Sequence, residues 1–143
     1  FQELIVTGTN KNLYRSLKTK IKKNKKKTLL FGFVDNINEL MGISSIIITK
    51  PGGVTISEAL AKKIPMIIVK PIPGQEESNT VYLTGKGAAV KVDKPKDINL
   101  VIEDLLSDQN ELIRLSECAG RIGKPRASLD IARFLLDLSD SHV

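Results

Sequence analysis

The chain has 143 residues, 41% of them hydrophobic, which is enough for one globular domain with its own core over residues 1–143. No apolar run approaches the roughly 18–20 residues that a membrane-spanning helix needs, and the single cysteine, Cys118, excludes an intrachain disulfide. The net charge is +6 and is unevenly spread. Because the chain starts at Phe1 and a strand pattern follows at once, we interpret it as a segment of a longer protein.

Apolar segments with strand character alternate with helical patterns along the whole chain. In chain order, the predicted strands are residues 3–7, 28–33, 45–49, 65–69 and 88–92. The predicted helices are residues 10–23, 36–41, 55–63, 76–86, 97–107, 111–119 and 127–138. This alternation predicts an α/β fold in which five parallel strands form a sheet flanked by helices.

Four loops that follow predicted strands carry the polar residues that the strands lack. They are residues 7–10, 33–36, 49–55 and 71–77, and they contain glycine, asparagine, proline or acidic residues. Ligands of parallel sheets bind beyond the carboxyl ends of the strands. We therefore expect the functional site at this edge.

The loop at residues 49–55 is the most informative of the four. A strand meets Gly52 and Gly53 and a helix follows, so backbone N–H groups and the positive end of a helix dipole face one point. This arrangement favours a phosphate, with the hydroxyls of Thr55 and Ser57 as further donors and Glu58 within reach of a ribose. The alternative is an ordinary helix start that is capped by Thr55, with the Glu58 carboxylate interacting with the positive end of the helix dipole.

A second loop ends in Gln75 and Glu76, which together offer the donor and acceptors that a hexose requires. The alternative is that these residues only provide the negative charge that commonly stabilises the N-terminal end of a helix. In a third loop, the backbone at Phe33 and Val34 could pair with a planar base. In the fourth loop, Gly8 permits close approach and Asn10 is a candidate helix N-cap.

Positive charge is concentrated in one ten-residue window. This pattern indicates either an anionic membrane surface or the solvated end of a helix. Nucleic acid is disfavoured because no aromatic residues are interleaved for base stacking. The lysines are Lys18, Lys20, Lys22, Lys23, Lys25, Lys26 and Lys27.

The sequence offers no metal-ligand cluster and no catalytic triad. The only histidine is His142, at the C-terminal end, where a ligand or a general base is not expected. If catalysis requires a general base, this chain offers no histidine suited to that role.

The segments VTGTNKNL, GFVDNINELM, ITKPGGVTISEAL, PIPGQEESN and KGAAV follow one another along nearly the whole chain. In order and spacing they resemble the C-terminal half of the processive diacylglycerol glucosyltransferases of Gram-positive bacteria and the monogalactosyldiacylglycerol synthases of plastids. This family is also similar to the peptidoglycan N-acetylglucosaminyltransferase. The resemblance implies the donor half of a GT-B enzyme built from two Rossmann-like domains, with the first βα unit of that half missing before Phe1.

The resemblance also implies roles for particular residues. It places the diphosphate of a UDP-sugar at the phosphate-side loop and assigns the ribose to Glu58. It assigns the sugar hydroxyls to Gln75 and Glu76 and the uracil to the backbone at Phe33 and Val34. The full set of residues expected to contact the donor is Gly8, Asn10, Phe33, Val34, Gly52, Gly53, Val54, Thr55, Glu58, Gln75 and Glu76.

An enzyme of this family is expected to invert the sugar configuration and to need no metal or other cofactor. The donor would be UDP-glucose or UDP-galactose, and the sequence favours neither. The lipid acceptor and the catalytic base are expected in a domain outside this chain. The resemblance therefore implies that this chain contains no catalytic residue and that the isolated fragment is inactive. The resemblance implies a peripheral protein on the cytoplasmic face of a membrane.

Three other functions stay open at this point. One is a non-catalytic nucleotide-binding sensor. The other two are enzymes, one similar to the UDP-N-acetylglucosamine epimerases and one similar to the peptidoglycan N-acetylglucosaminyltransferase. The epimerase-like function would call for more ionisable groups on the loops than the sequence shows. In addition, the first predicted strand could leave a free sheet edge, which would favour a homodimer.

Overall fold

The computed structural model describes residues 1–22 and 27–140. Five strands are present: β1 Glu3–Val6, β2 Thr28–Phe31, β3 Ile47–Thr49, β4 Met66–Val69 and β5 Ala89–Val92. Seven helices are described: α1 Lys11–Ile21, α2 Ile37–Gly42, α3 Gly53–Ala61, α4 Gln75–Gly85, α5 Ile98–Ser107, α6 Gln109–Ile122 and α7 Ala127–Asp140. A short 3₁₀ turn, Pro95–Asp97, precedes α5.

The α/β architecture predicted from the sequence is confirmed, and every strand pair is parallel. The five strands form two hydrogen-bonded sheets rather than one, with strand orders β1-β2 and β3-β4-β5. The change of sheet coincides with the point where the chain divides into two compact units, Phe1–Ile43 and Ser44–Val143. Each unit is described here by itself.

The first unit contains β1, α1, β2 and α2, and α1 packs against β2. The Thr7 hydroxyl, just after β1, donates to the carbonyl of Phe31 at 3.1 Å and extends the pairing of the two strands. Within the described strands β1 has β2 as its one neighbour. Dimerisation along its other edge stays a prediction.

The second unit is built around β4, whose residues Met66, Ile67 and Ile68 are completely buried. The position of β4 between β3 and β5 explains why its sequence is apolar without alternation. Helix α4 packs on β5, while α3 packs on α6. The core joins β4, β5, α5 and α6 through Ile67, Val92, Leu105 and Leu115.

Two helices differ from the sequence prediction in an informative way. Helix α3 begins at Gly53, two residues earlier than predicted, because Gly52 is extended (φ −69°, ψ 140°) and serves as its N-cap. Helix α7 forms at the predicted place, but its apolar face is largely exposed. That face carries Ile131, Phe134, Leu135 and Leu138. No helix in residues 1–22 and 27–140 has the length and apolarity to cross a bilayer.

Candidate functional site

The turn between β3 and α3, residues 50–53, is called the glycine turn below. The amide of Gly52 donates to the carbonyl of Lys50 at 2.9 Å, and the first helical bond of α3 runs from the Ile56 amide to the Gly52 carbonyl at 3.0 Å. The amides of the three intervening residues have no acceptor in the described part of the chain. These residues are Gly53, Val54 and Thr55.

The open start of α3 contrasts with two capped helices of the same chain. The side chain of Asn10 accepts from the Leu13 amide at 2.9 Å at the start of α1, and Asp108 accepts from the Glu111 amide at 3.0 Å at the start of α6. At α3 the N-cap is Gly52, which has no side chain, and the first turn carries no acidic residue. The positive end of α3 is therefore available to an external anion.

The two glycines also leave space in front of this helix. A Cβ atom built on either Gly52 or Gly53 would have no heavy atom within 4 Å. The Val54 side chain is 75% exposed beside the same opening. A phosphate group could thus approach the backbone without displacing any side chain.

The side chains that follow on α3 have distinct surroundings. Thr55 and Glu58 are half-buried and lie three residues apart, so they share one face of the helix. The Ser57 hydroxyl donates back to the Gly53 carbonyl at 2.8 Å, which removes it as a donor to a ligand. The alternative in which Thr55 caps the helix is wrong, because Thr55 lies inside the first turn and Gly52 is the cap.

The second candidate loop, residues 71–74, is called the proline loop. Gly74 has φ +96°, a left-handed conformation that favours glycine, and α4 starts at the next residue. Gln75 is exposed, whereas the Glu76 carboxylate accepts a hydrogen bond from the Ile72 amide at 2.6 Å. Glu76 therefore fixes its own loop through one oxygen, and its second oxygen is left for a ligand.

A hydrogen bond joins the helix that follows the proline loop to the glycine turn. The Asn79 side-chain amide, on the second turn of α4, donates to the carbonyl of Pro51 at 2.9 Å. Sequence reasoning missed Asn79 as a site residue. The signal was its position four residues after Gln75, which places both on one side of α4. The predicted phosphate and sugar residues of the second unit are thus held next to each other.

The candidate residues of the first unit lie in the loops after β1 and β2. Gly8 has φ +56°, and its carbonyl lies 3.9 Å from the position of a Cβ built on Gly32, so the two loops are adjacent. Asn10 is confirmed as the N-cap of α1. Phe33 is 69% exposed, and the backbone of Phe33 and Val34 forms no hydrogen bond among the described residues.

Four basic side chains, called the basic stripe, follow one face of α1 and continue to its C-cap residue: Lys11, Arg15, Lys18 and, at the C-cap, Lys22. All four are exposed, and α1 contains no acidic residue. The Lys18 ammonium lies 6.0 Å from the centre of the Tyr14 ring, and none of the four has an acidic partner in the described ranges. Lys23, Lys25 and Lys26 of the predicted lysine window lie outside these ranges, as does His142.

Within residues 1–22 and 27–140, no group of three His, Cys, Asp or Glu side chains could hold a metal ion. The pKa shifts lie on α6 and β5. The hydrogen bonds from Arg114 lower the pKa of Glu111, and the bond to Asp93 at 2.8 Å raises the pKa of Lys91.

Comparison with known proteins identifies the sequence family. Residues 1–129 match the glycosyltransferase family 28 C-terminal domain. The processive diacylglycerol beta-glucosyltransferase of Bacillus cytotoxicus is 38% identical over 136 residues, which are 95% of this chain and 35% of that protein. The protein of the same name from Bacillus cereus is 38% identical over 142 residues, 99% of this chain and 36% of that protein. The chain thus spans about a third of these relatives.

Solved structures give the same fold. The crystal structure of Acinetobacter baumannii MurG superposes with a TM-score of 0.75 at 15% identity, over 94% of this chain and 41% of that one. A glycotransferase of kitacinnamycin superposes with a TM-score of 0.62 at 17% identity, over 93% and 43% of the two chains. The fold is that of the C-terminal half of a GT-B glycosyltransferase. From its sequence match, this chain belongs to glycosyltransferase family 28, as a C-terminal domain of that family.

Proposed function

We propose that this chain is the UDP-sugar-binding domain of an inverting glycosyltransferase that transfers a hexose, glucose or galactose, to diacylglycerol or to a glycolipid. The observation that carries the proposal is the uncapped start of α3, with three unpaired amides and an open space in front of them. Family membership and the names of the relatives support a glycosyltransferase that acts on a lipid.

In this proposal the diphosphate accepts hydrogen bonds from the amides of Gly53, Val54 and Thr55. The hydroxyl of Thr55 is a further donor. When the bond to the sugar breaks, negative charge develops on the departing UDP. The helix dipole and the fixed amides stabilise that charge in the place where other enzymes use a cation.

The remaining contacts with the UDP-sugar follow from this position of the diphosphate. Glu58 accepts hydrogen bonds from the ribose hydroxyls, one helical turn beyond the phosphates. Gln75 and the free oxygen of Glu76 bind the sugar hydroxyls, and the bond from the Ile72 amide holds that carboxylate in place. The roles of Gly8, Asn10, Phe33 and Val34 in the first unit stay predictions.

We place the catalytic base and the lipid acceptor site in the part of the protein beyond these 143 residues. The chain spans about a third of its relatives' length, so an activity of the whole protein requires residues that this chain does not supply. We therefore expect the isolated chain to bind UDP but not to glycosylate lipid. Transfer of glucose or galactose to diacylglycerol by the isolated chain would contradict this division of roles.

Isothermal titration of the full-length protein with UDP, UDP-glucose and UDP-galactose tests the proposal. We expect UDP to bind, and we expect Glu58→Ala and Thr55→Val each to weaken binding about five- to tenfold, the effect of one lost hydrogen bond to a charged or polar group. Ser57→Ala is the matched control, because its hydroxyl bonds to its own helix. UDP binding without any transfer to diacylglycerol would favour the nucleotide sensor.

For the basic stripe we propose contact with an anionic membrane surface on the cytoplasmic side. Its four cations lie along one helix face without acidic partners in the described chain, and each basic residue near an anionic bilayer contributes about 1 kcal/mol. Co-sedimentation with phosphatidylglycerol vesicles should fall at least about fivefold for Arg15→Glu with Lys18→Glu, whereas Lys94→Glu with Lys96→Glu should have little effect. Equal binding to phosphatidylcholine vesicles would contradict the proposal.

A further inference from the structure

Asn79 connects α4 to the glycine turn across 28 residues of sequence. Its side-chain amide is the donor and the carbonyl of Pro51 is the acceptor, at 2.9 Å. Asn79 is half-buried, whereas Pro51 is completely buried. A buried carbonyl without a partner is costly, so this bond has a structural reason independent of any ligand.

The consequence for the glycine turn follows from the planarity of the peptide unit. The carbonyl of Pro51 and the amide of Gly52 belong to one rigid plane and point in opposite directions. Asn79 holds the oxygen side, and the carbonyl of Lys50 holds the nitrogen side by accepting from the Gly52 amide at 2.9 Å. The peptide plane is therefore fixed at both ends.

This fixed plane lies directly before the open amides of α3. Glycine pairs have large conformational freedom, and no side chain packs against Gly52 or Gly53 within 4 Å of a built Cβ. Without the bond from Asn79, the Pro51–Gly52 plane could rotate, and the next plane, which contains the Gly53 amide, would be held only by the bond from the Ile56 amide to the Gly52 carbonyl. The proline loop leads into the same helix, α4, and the Glu76 carboxylate on that helix accepts a hydrogen bond from the Ile72 amide.

We propose that Asn79 is a positioning residue for the diphosphate: by holding the Pro51 carbonyl, it fixes the peptide plane that leads into the anion-binding amides. This inference rests on the proposed function, because it concerns the same site. Asn79 acts on the phosphates through the glycine turn. Its contribution to binding affinity should therefore require the phosphates of the ligand and should be the same for UDP and UDP-glucose.

The test compares uridine, UDP and UDP-glucose as ligands of the full-length protein. Asn79→Ala removes the donor, and Asn79→Leu removes it while keeping the volume. We expect both variants to bind UDP and UDP-glucose about five- to tenfold more weakly, as for one lost hydrogen bond. Uridine, which has no phosphate, should bind within about twofold of the unaltered protein. Ser78→Ala, an exposed neighbour on α4, should leave all three affinities unchanged.

Each other pattern of affinities contradicts the inference. A loss with UDP-glucose but not with UDP would mean that Asn79 contacts the sugar. An equal loss with uridine and UDP, or failure of both variants to fold, would indicate a general structural role. Unchanged UDP binding in both variants would contradict the positioning role and leave the proposed function intact. Absence of UDP binding in the unaltered protein would overturn the proposed function itself and this inference with it.

Discussion

Gly53 is the residue at which ligand binding and stability are expected to change in opposite directions. It is the first residue of α3, and a methyl group there meets no protein atom within 4 Å. Gly53→Ala should raise the free energy of unfolding by about 0.5 kcal/mol, because alanine loses less backbone entropy in a helix. The same methyl group occupies the space proposed for the diphosphate, so UDP binding should weaken at least about tenfold.

Thermal unfolding and titration with UDP measure the two effects of Gly53→Ala. Gly85→Ala is the matched control, since Gly85 is also helical, exposed and free of neighbours within 4 Å of a built Cβ. It should leave UDP binding unchanged. If Gly53→Ala bound UDP as tightly as the unaltered protein, the anion would have to lie elsewhere.

Gly87 has the opposite surroundings from Gly53. It follows α4 with φ +70°, as expected for the glycine that ends a helix, and a Cβ built there would lie 2.9 Å from Nη1 of Arg114 and 3.3 Å from the Cys118 sulfur. Gly87→Ala should therefore reduce the free energy of unfolding by about 1–2 kcal/mol, the cost of a left-handed non-glycine residue. Denaturant unfolding against Gly85→Ala measures the difference, and equal stability of the two variants would contradict it.

The residues of the site were partly predictable from sequence. A glycine pair between an apolar strand and a helix indicated the open amides, and Asn10 was recognisable as a cap. The bond from the Ile72 amide to Glu76 and the bond from Asn79 to Pro51 were not predictable. The reason is physical: the first depends on the backbone path of the proline loop, and the second joins residues far apart in sequence.

At the scale of elements, α6 carries a hydrogen-bonded ion pair that makes stability depend on pH. Two bonds of 2.6 Å join Arg114 to the carboxylate of Glu111 and lower the pKa of that carboxylate below its ordinary value of 4.5. A lowered folded-state pKa means that the pair stabilises the protein above pH 4.5 and that this contribution is lost as the pH falls through the folded-state pKa.

Glu111→Gln should therefore lower the melting temperature at pH 7, and the difference from the unaltered protein should shrink as the pH falls below about 4.5. Thermal unfolding at a series of pH values measures this difference. Glu117→Gln, at an exposed position on the same helix, is the control and should change stability little. A difference for Glu111→Gln that stayed constant from pH 7 to pH 3 would contradict the role of the ion pair.

The elements themselves were the most predictable part of the fold. All five strands were predicted from short apolar runs. The run without alternation is explained best at β4, where Met66, Ile67 and Ile68 are completely buried between two neighbouring strands. The division into two sheets was not predictable, since hydrogen bonding between strands is a tertiary property that a local pattern does not contain. The exposure of α7 was not predictable for the same reason. Its sequence indicated an apolar face, but a local pattern does not show whether that face packs on another element.

For the whole molecule, we propose that this chain binds the UDP-sugar donor and that the remainder of the protein binds the lipid acceptor. The basis of this proposal is the match to the C-terminal domain of glycosyltransferase family 28, together with the share of the relatives that the chain covers, about a third. The basic stripe adds a proposed orientation at the membrane, because it would hold the first unit against anionic headgroups. Both proposals for this chain's site depend on one interaction, the binding of a nucleotide diphosphate at the start of α3.

A crystal structure of the full-length protein with UDP is the most direct test of this interaction. We predict phosphate oxygens within hydrogen-bond distance of the amides of Gly53 and Val54, and ribose hydroxyls within the same distance of the Glu58 carboxylate. UDP bound at another place, with the start of α3 unoccupied, would contradict the account.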